Sequence, residues 1–423
     1  MTHDVNARSR IADAALAHVG DERIAWVERH SPVLNALARE RLSDGALTGR
    51  RVAVVVHLEA KTAYLALLLA EAGAHVVAAG SNPRSTNDAV CAALVRRGVE
   101  VHAVHGAGPG EFDADLLAVA DTAPEIVVDD GAELTTRMAQ HRGDLLGGLR
   151  GVTEETTTGV ARLRAMDAAG RLTFPAVAAN DAACKHLFDN RYGTGQTTVQ
   201  AVLALTNSTL WGTAVTVVGY GWVGRGVAQY ARGLGARVTV VEVDPVKALE
   251  AHMEGYRVGS LSEVLPDSRV VVTATGGVDA IPADAVPLLR DGVILANAGH
   301  DDREIDVGTL REAAESVDEP RAGVERLRLP GDREVHLLVG AGLVNIAGGD
   351  GHPIEIMDLS FAVQALSAHY IASTSLAPGI HRFPDDLDRA IARTKLATLG
   401  ITLDESASAL DAIRGEWASG EHT

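Results

Sequence analysis

Seven side chains in this 423-residue sequence are of types that could move protons or hold hydroxyl groups: His57, Asp130, Glu155, Lys185, Asp189, His300 and His352. Histidines and carboxylates with near-neutral pKa values perform general acid–base catalysis. Each also has an ordinary use. A lone histidine after a strand commonly serves a loop or a core, and Asp129-Asp130-Gly131 reads as a turn. Lys185 and Asp189 stand four apart, the spacing of a helical ion pair. The run Glu154-Glu155-Thr156-Thr157-Thr158-Gly159 is less ordinary. It sets hydroxyls beside carboxylates, a mix that suits the recognition of sugar hydroxyls.

The stretch from Val215 to Asp244 gives those groups a shared purpose. A valine-rich strand leads into Gly219-Tyr220-Gly221-Trp222-Val223-Gly224, with Gly226 beyond, then a helix and a second strand ending near Glu242. Gly219 permits a tight turn, Gly221 lets the backbone approach a pyrophosphate, and Gly224 lets the helix pack on the strand. The helix N-terminus adds free N–H groups for the phosphates. Glu242, 23 residues after Gly219, can accept from both ribose hydroxyls and would repel a 2′-phosphate. NAD is therefore favoured over NADP; Lys247, close by, argues weakly the other way. A nicotinamide site needs a base or cation beside the hydroxyl to be oxidised, and Lys185 with Asp189 could supply it.

Composition narrows the field. A net charge of −18 disfavours nucleic acid and anionic membranes as partners. Two cysteines, Cys91 and Cys184, show no metal-ligand spacing and fit a reducing cytoplasm, and no metal site is expected. The N-terminus lacks an apolar signal region, and no run of about 18 apolar residues occurs, so neither export nor a membrane span is expected. There is no G-x-S-x-G elbow and no GK[ST] phosphate loop.

The elements that must position these groups alternate. Strands are expected at Arg51–Val56, His75–Ala79, Val99–Val104, Glu125–Val128, Arg150–Thr153 and Phe174–Ala178, with helices between them. A second series has strands at Val270–Thr273, Gly292–Ala296, Val335–Val339 and Gly342–Ile346, and a helical pattern from Ile356 to Ile371. Polar residues follow the strand ends (His57, Ser81-Asn82, Asp130, Glu155, Asp181), the edge where open α/β sheets bind ligands. The fold class is α/β: two doubly wound, Rossmann-like domains with parallel sheets, plus a small helical C-terminal segment. The expected boundaries are residues 1–185 with 350–385 for the substrate-binding domain and 186–349 for the NAD-binding domain. Residues 386–423 would form a helical, oligomerising segment with a disordered tail over 418–423.

Several motifs together resemble the S-adenosyl-L-homocysteine hydrolase family. They are Glu154–Gly159, Asn180-Asp181 with Lys185, Phe188–Gly193, Gly219–Gly226, Asn297–His300, and Gly351-His352-Pro353 with Met357 and Phe361. They run in family order from about residue 50 to 365. The resemblance implies a tightly held NAD, one per subunit, at which the substrate's ribose 3′-hydroxyl is oxidised. The ketone acidifies the C4′ proton, homocysteine leaves C5′, water adds, and the hydride returns. It implies that Lys185 and Asp189 hold and deprotonate the 3′-hydroxyl, Asp130 acts at C4′, Glu155 binds ribose hydroxyls, and His57 and His300 manage the proton of thiol and water. The NAD contacts it implies are Thr156, Thr157, Thr158, Asn190, Trp222, Val223, Thr275, Asn297, Ala298, Gly299 and Asn345, beside the glycines, Glu242 and Lys247. Glu59, Lys61, Thr62, His352, Met357 and Phe361 would line the substrate. A homotetramer acting on a nucleoside thioether in the methionine cycle is the implied assembly and role.

Five segments look like the archaeal and thermophilic-bacterial branch, which also has a short C-terminus. They are His57–Thr62, Gly80–Pro83, Tyr192–Gln196, Val243–Lys247 and Ile356–Phe361. Some members of that branch act on S-inosylhomocysteine, and a Glu59/Lys61 pair could read either purine edge. Arg84, Ala132-Glu133, Asp301 and Gly340-Ala341-Gly342 depart from the branch and bear on the substrate more than on the redox chemistry. A paralogue that applies 3′-oxidation to another nucleoside is the remaining alternative.

Overall fold

The valine-rich runs are apolar on both faces, and that decides the architecture. Along Arg51–Val56, Val52, Val54 and Val56 join one core cluster while Ala53 and Val55 join another. Val215 and Val217 likewise face one core and Val218 a second. A strand buried on both faces needs helices on both sides, the condition of a parallel, doubly wound sheet.

The computed structural model describes residues 5, 7–299 and 302–404. Its first six strands are β1 (Arg51–Val56), β2 (His75–Gly80), β3 (Glu100–His102), β4 (Ile126–Asp129), β5 (Gly151–Glu154) and β6 (Pro175–Ala178). Then come β7 (Ala214–Val218), β8 (Arg237–Val241), β9 (Arg257–Val258), β10 (Val270–Thr273) and β11 (Val293–Asn297), followed by β12 (Ser316–Arg321), β13 (Val324–Leu329), β14 (Arg333–Leu338) and β15 (Gly379–Arg382). One sheet has the order β15-β6-β5-β4-β1-β2-β3 and is parallel throughout. The other has the order β12-β13-β14-β11-β10-β7-β8-β9. No described helix is long and apolar enough to cross a membrane.

In each sheet the strand order reverses beside the first strand, which opens a crevice at the strand C-termini. β1 lies between β4 and β2, and β7 between β10 and β8. The register Val55↔Asp129 brings the ends of β1 and β4 level, so His57 and Asp130 emerge side by side. Val218↔Thr273 does the same for Gly219 and Ala274.

Two features depart from the sequence pattern. The second sheet ends in an antiparallel hairpin, β12 and β13, added to β14. Ser316–Arg321 is exposed at every position, so burial imposes no apolar alternation on it. The expected strand at Gly342–Ile346 is instead a lone bridge from Leu343 to Asn297 and a helical turn at Val344–Ala347. Val339, Gly340 and Ala341 take φ of 44°, 62° and 63°, which turns the chain out of the extended path.

The helix Ile354–Ser373 carries the chain back to the first sheet and is buried along most of its length. Its Asp358 accepts from the backbone N–H groups of Val33 and Leu34 and pairs with Lys395 at 3.3 Å, which docks helices from both chain ends. The helix Asp385–Thr398 follows. Its Asp388 accepts from Ala183 N (2.7 Å) and Cys184 N (2.9 Å), and so fixes the short helix Ala183–His186 that bears Lys185. The tail expected over 418–423 lies outside the described residues.

Candidate active site

The two crevices share one cleft of about 650 Å³, lined by residues from both sheets. On the first sheet's side His57 and Asp130 meet, with His57 Nε2 at 3.4 Å from Asp130 Oδ2. Ser81 Oγ donates to the same Oδ2 at 3.0 Å, while Oδ1 is buried without a hydrogen-bond partner. His57 Nδ1 lies 2.6 Å from Ser85 Oγ, and Thr62 Oγ1 donates to the His57 carbonyl. Next to them, buried Lys61 pairs with Glu59 at 2.9 Å and donates to the Asp350 carbonyl at 3.0 Å. Met357 and Phe361, from the long buried helix, complete an apolar surface beside this pair.

The cleft's centre is a buried charge cluster. Lys185, 3% exposed, donates to Asp189 Oδ1 (3.1 Å) and Asn190 Oδ1 (2.9 Å), and lies 3.6 Å from Glu155 Oε1. Asp189 also accepts from Ser360 Oγ at 3.0 Å and sits 3.5 Å from His352 Nε2. Burial alone would lower the Lys185 pKa, but Asp189 and Glu155 outweigh it and raise it. Burial alone would raise Asp189, but Lys185 and His352 hold it below the usual carboxylate range. Glu155 is pushed up to about 8, chiefly by burial, although Lys185 and a 2.6 Å hydrogen bond from Gln364 oppose the shift. His352 is lowered, first by burial, and shares a 2.8 Å hydrogen bond with Thr194. At neutral pH the cluster therefore offers a fixed ammonium, a carboxylate and a carboxyl that can donate or accept.

The opposite wall is the glycine turn. Gly219 takes φ +98°, and a Cβ there would lie 2.7 Å from the Ala274 carbonyl oxygen. A Cβ on Gly224 would lie 2.0 Å from the Gly219 oxygen, so this glycine serves helix–strand packing. Gly221 is different: it lines the cleft, and no atom stands within 4 Å of its missing Cβ. It caps the helix Trp222–Gly233, whose first N–H groups lack partners within the helix. An open glycine face at a helix N-terminus, with Thr156, Thr157 and Thr158 lining the same cleft, fits a dinucleotide pyrophosphate and ribose. Trp222, Val223, Lys247, Thr275, Ala298, Gly299 and Asn190 also line it.

Other expected residues stand behind the wall. Glu242 accepts from the N–H groups of Tyr220 (2.6 Å), Val243 (2.7 Å) and Asp244 (3.0 Å), leaving one of a carboxylate's roughly four acceptor positions for a ligand. Asn297, fully buried, holds the Gly299 turn through Gly299 N and the Gly299 and Ala341 carbonyls. Asn345 is buried, donating to Thr197, with its Oδ1 unpartnered. His300 lies outside the described residues.

Sequence reasoning passed over several contributors. Ser360 and Gln364 stand one turn apart within the buried part of the helix Ile354–Ser373, a detectable signal, and they hold Asp189 and Glu155. Glu304 is buried and accepts from Thr275 N (2.9 Å) and Gly276 N (2.7 Å), so it shapes the loop after β10. Nothing in its local sequence marks it. Asp181 pairs with Arg164 at the surface and does not line the cleft.

Comparison with known proteins gives the same picture. Residues 190–351 match the family model described as "S-adenosyl-L-homocysteine hydrolase, NAD binding domain", and residues 8–146 match "S-adenosyl-L-homocysteine hydrolase". The chain is 45% identical over 397 residues to an adenosylhomocysteinase of Thermococcus kodakarensis, covering 93% of this chain and 94% of that one. It is 45% identical over 390 residues to that of Thermotoga maritima, covering 92% and 96%. It is 46% identical over 398 residues to an S-inosyl-L-homocysteine hydrolase of Methanopyrus kandleri, covering 93% and 94%.

Proposed function

The chain belongs to the S-adenosyl-L-homocysteine hydrolase family, a family of NAD-binding hydrolases, and from that premise we propose that it reversibly hydrolyses S-adenosyl-L-homocysteine to adenosine and homocysteine. One observation carries the reading: a buried Lys185–Asp189–Glu155 cluster faces the same cleft as the open glycine turn. A C–S bond at C5′ is a poor target for direct hydrolysis, but it becomes labile once C3′ is a ketone and C4′ loses its proton. Bound NAD supplies the hydride acceptor for that oxidation and the hydride that ends the turnover.

The chain's own groups then have distinct tasks. Lys185, held as an ammonium by Asp189, donates to the 3′-oxygen, and the Asp189 carboxylate takes the hydroxyl proton as the carbonyl forms. Glu155, with one oxygen unpartnered, takes the adjoining ribose hydroxyl. Asp130, whose Oδ1 lacks a partner, removes the C4′ proton. His57, oriented by Ser85, passes a proton to the leaving thiolate and takes one from the incoming water, with His300 sharing that task. Asn190, Asn345 and the Thr156–Thr158 run hold NAD beside the glycines, Glu242 and Lys247. His352 stands at the base or amino-acid end.

The division of labour follows the sheets: residues 1–185 and 350–385 bind substrate, residues 186–349 bind NAD, and the part from 386 onward serves assembly. We further propose a homotetramer working in the cytoplasm.

A second reading is favoured by Lys61. A buried ammonium paired with Glu59 can donate to a purine carbonyl, which hypoxanthine has and adenine lacks. S-inosylhomocysteine is the corresponding substrate. Offering both thioethers to the NAD-loaded protein and following free thiol decides between them. Thiol from the adenosyl compound supports the first reading and preference for the inosyl compound the second. Release from neither overturns both and points to another nucleoside.

A further inference from the structure

Glu154 neighbours the substrate-facing Glu155 but does not line the cleft. It is fully buried. Its Oε1 accepts from Gly131 N (2.9 Å), Thr156 N (2.8 Å) and Thr156 Oγ1 (2.9 Å), and its Oε2 from Ala132 N (2.9 Å). One carboxylate thus joins two loops: the turn that follows Asp130, and the start of the helix Thr157–Ala168, where Thr156–Thr158 line the cleft. The register Asp129↔Glu154 between β4 and β5 sets the carboxylate level with that turn.

Surrounding residues are arranged around the same clamp. Gly131 and Ala132 take φ of 74° and 55°, and an alanine in that region is costly unless held there. A Cβ on Gly159 would lie 2.1 Å from the Glu154 carboxyl, so only glycine leaves room for it. From the solvent side Arg162 donates to the Gly131 carbonyl at 2.6 Å and pairs with Glu133 at 2.8 Å.

We infer that Glu154 is a positioning residue that locks the Asp130 turn to the threonine loop and so sets the C4′ base relative to the cofactor-facing wall. This rests on the proposed role of Asp130. An amide at position 154 would turn its NH₂ toward at least one N–H donor, and the clamp would open. A base displaced by about 1 Å can cost about 10²-fold in rate.

The test uses the NAD-loaded Glu154→Gln protein and two readouts. Absorbance of reduced nicotinamide on mixing with substrate reports 3′-oxidation, and exchange of the C4′ hydrogen with deuterated solvent reports the base. The expected result is oxidation near the wild-type rate with C4′ exchange and thiol release down about 10²-fold. Parallel loss of both readouts, or of neither, overturns the inference. Gly159→Ala, which keeps the carboxylate but displaces it, must show the same selective loss and decides the matter if Glu154→Gln does not fold. Asp130→Asn separates the premise: intact C4′ exchange in that variant overturns the role of Asp130 itself, whatever Glu154 does.

Discussion

At the residue scale, the cluster around Lys185 buries an ammonium and two carboxyl groups together, and they compensate one another unequally. Such a cluster is strongly destabilised by losing one member, because the remaining charge stays buried without its partner. Glu155 is the least compensated, which is why it titrates at about 8 rather than near 4.5. The effect on stability has a definite sign. Below about pH 4.5 the group is protonated folded or unfolded, and its contribution is fully present. As pH rises, the unfolded chain ionises first, so stability falls until the folded group ionises at about 8. Denaturant unfolding across this range should show a smaller loss in Glu155→Gln than in wild type. The loss should shrink rather than vanish, since Asp129 and Glu154 are raised too. An identical slope in the variant would show that Glu155 ionises normally. The Lys185–Asp189 spacing was legible in the chain as an ion pair. Glu155 was legible as a candidate, but its pairing with Lys185 was not, because 30 residues separate the two and only neighbouring strand ends join them.

At the element scale, the βα turn after β7 carries the proposed cofactor wall, and its glycines are not equivalent. Gly221 faces open space, whereas Gly224 is pressed against the Gly219 carbonyl. Gly224→Ala should therefore destabilise the protein by about 1–3 kcal/mol and lower bound NAD, as forced overpacking does. Thermal melting together with nicotinamide content after purification checks this, and wild-type values for both would refute the packing role. Strands buried on both faces were readable because burial demands an unbroken apolar run. In the hairpin, β12 was missed because an exposed edge demands no such run, and β13 because it buries only Val324, Leu327 and Leu329 among charged residues. Gly342–Ile346 was misread because its apolar pattern cannot register the positive φ angles just before it.

At the scale of the whole molecule, apolar side chains remain exposed in several places, and two of these form groups along the chain. Val246, Leu249 and Met253 are 72%, 61% and 78% exposed on one helix, and Leu399, Ile401 and Leu403 are 62%, 48% and 56% exposed after the last described helix. Faces of this kind are commonly covered by partners. In line with the proposed homotetramer, light scattering should return four times the 44.2 kDa chain mass at assay concentration, and a monomer would rule the assembly out.

The amino-acid sequence alone determined the family, the NAD-binding turn, the alternation of strands and helices, and most of the polar groups at strand ends. These are local properties: glycine conformations, apolar periodicity and short motifs are written within a few residues of one another. Only the tertiary structure decided which groups meet. It gave Glu242 and Asn297 backbone partners behind the wall and brought Ser360 and Gln364 to the charge cluster. It also set Glu154 to accept from two loops beside a cleft-lining Glu155. Those outcomes depend on strand register and on where a distant helix returns. The physical reason is that the partners of a buried polar group are set by the packing of segments far apart in the chain.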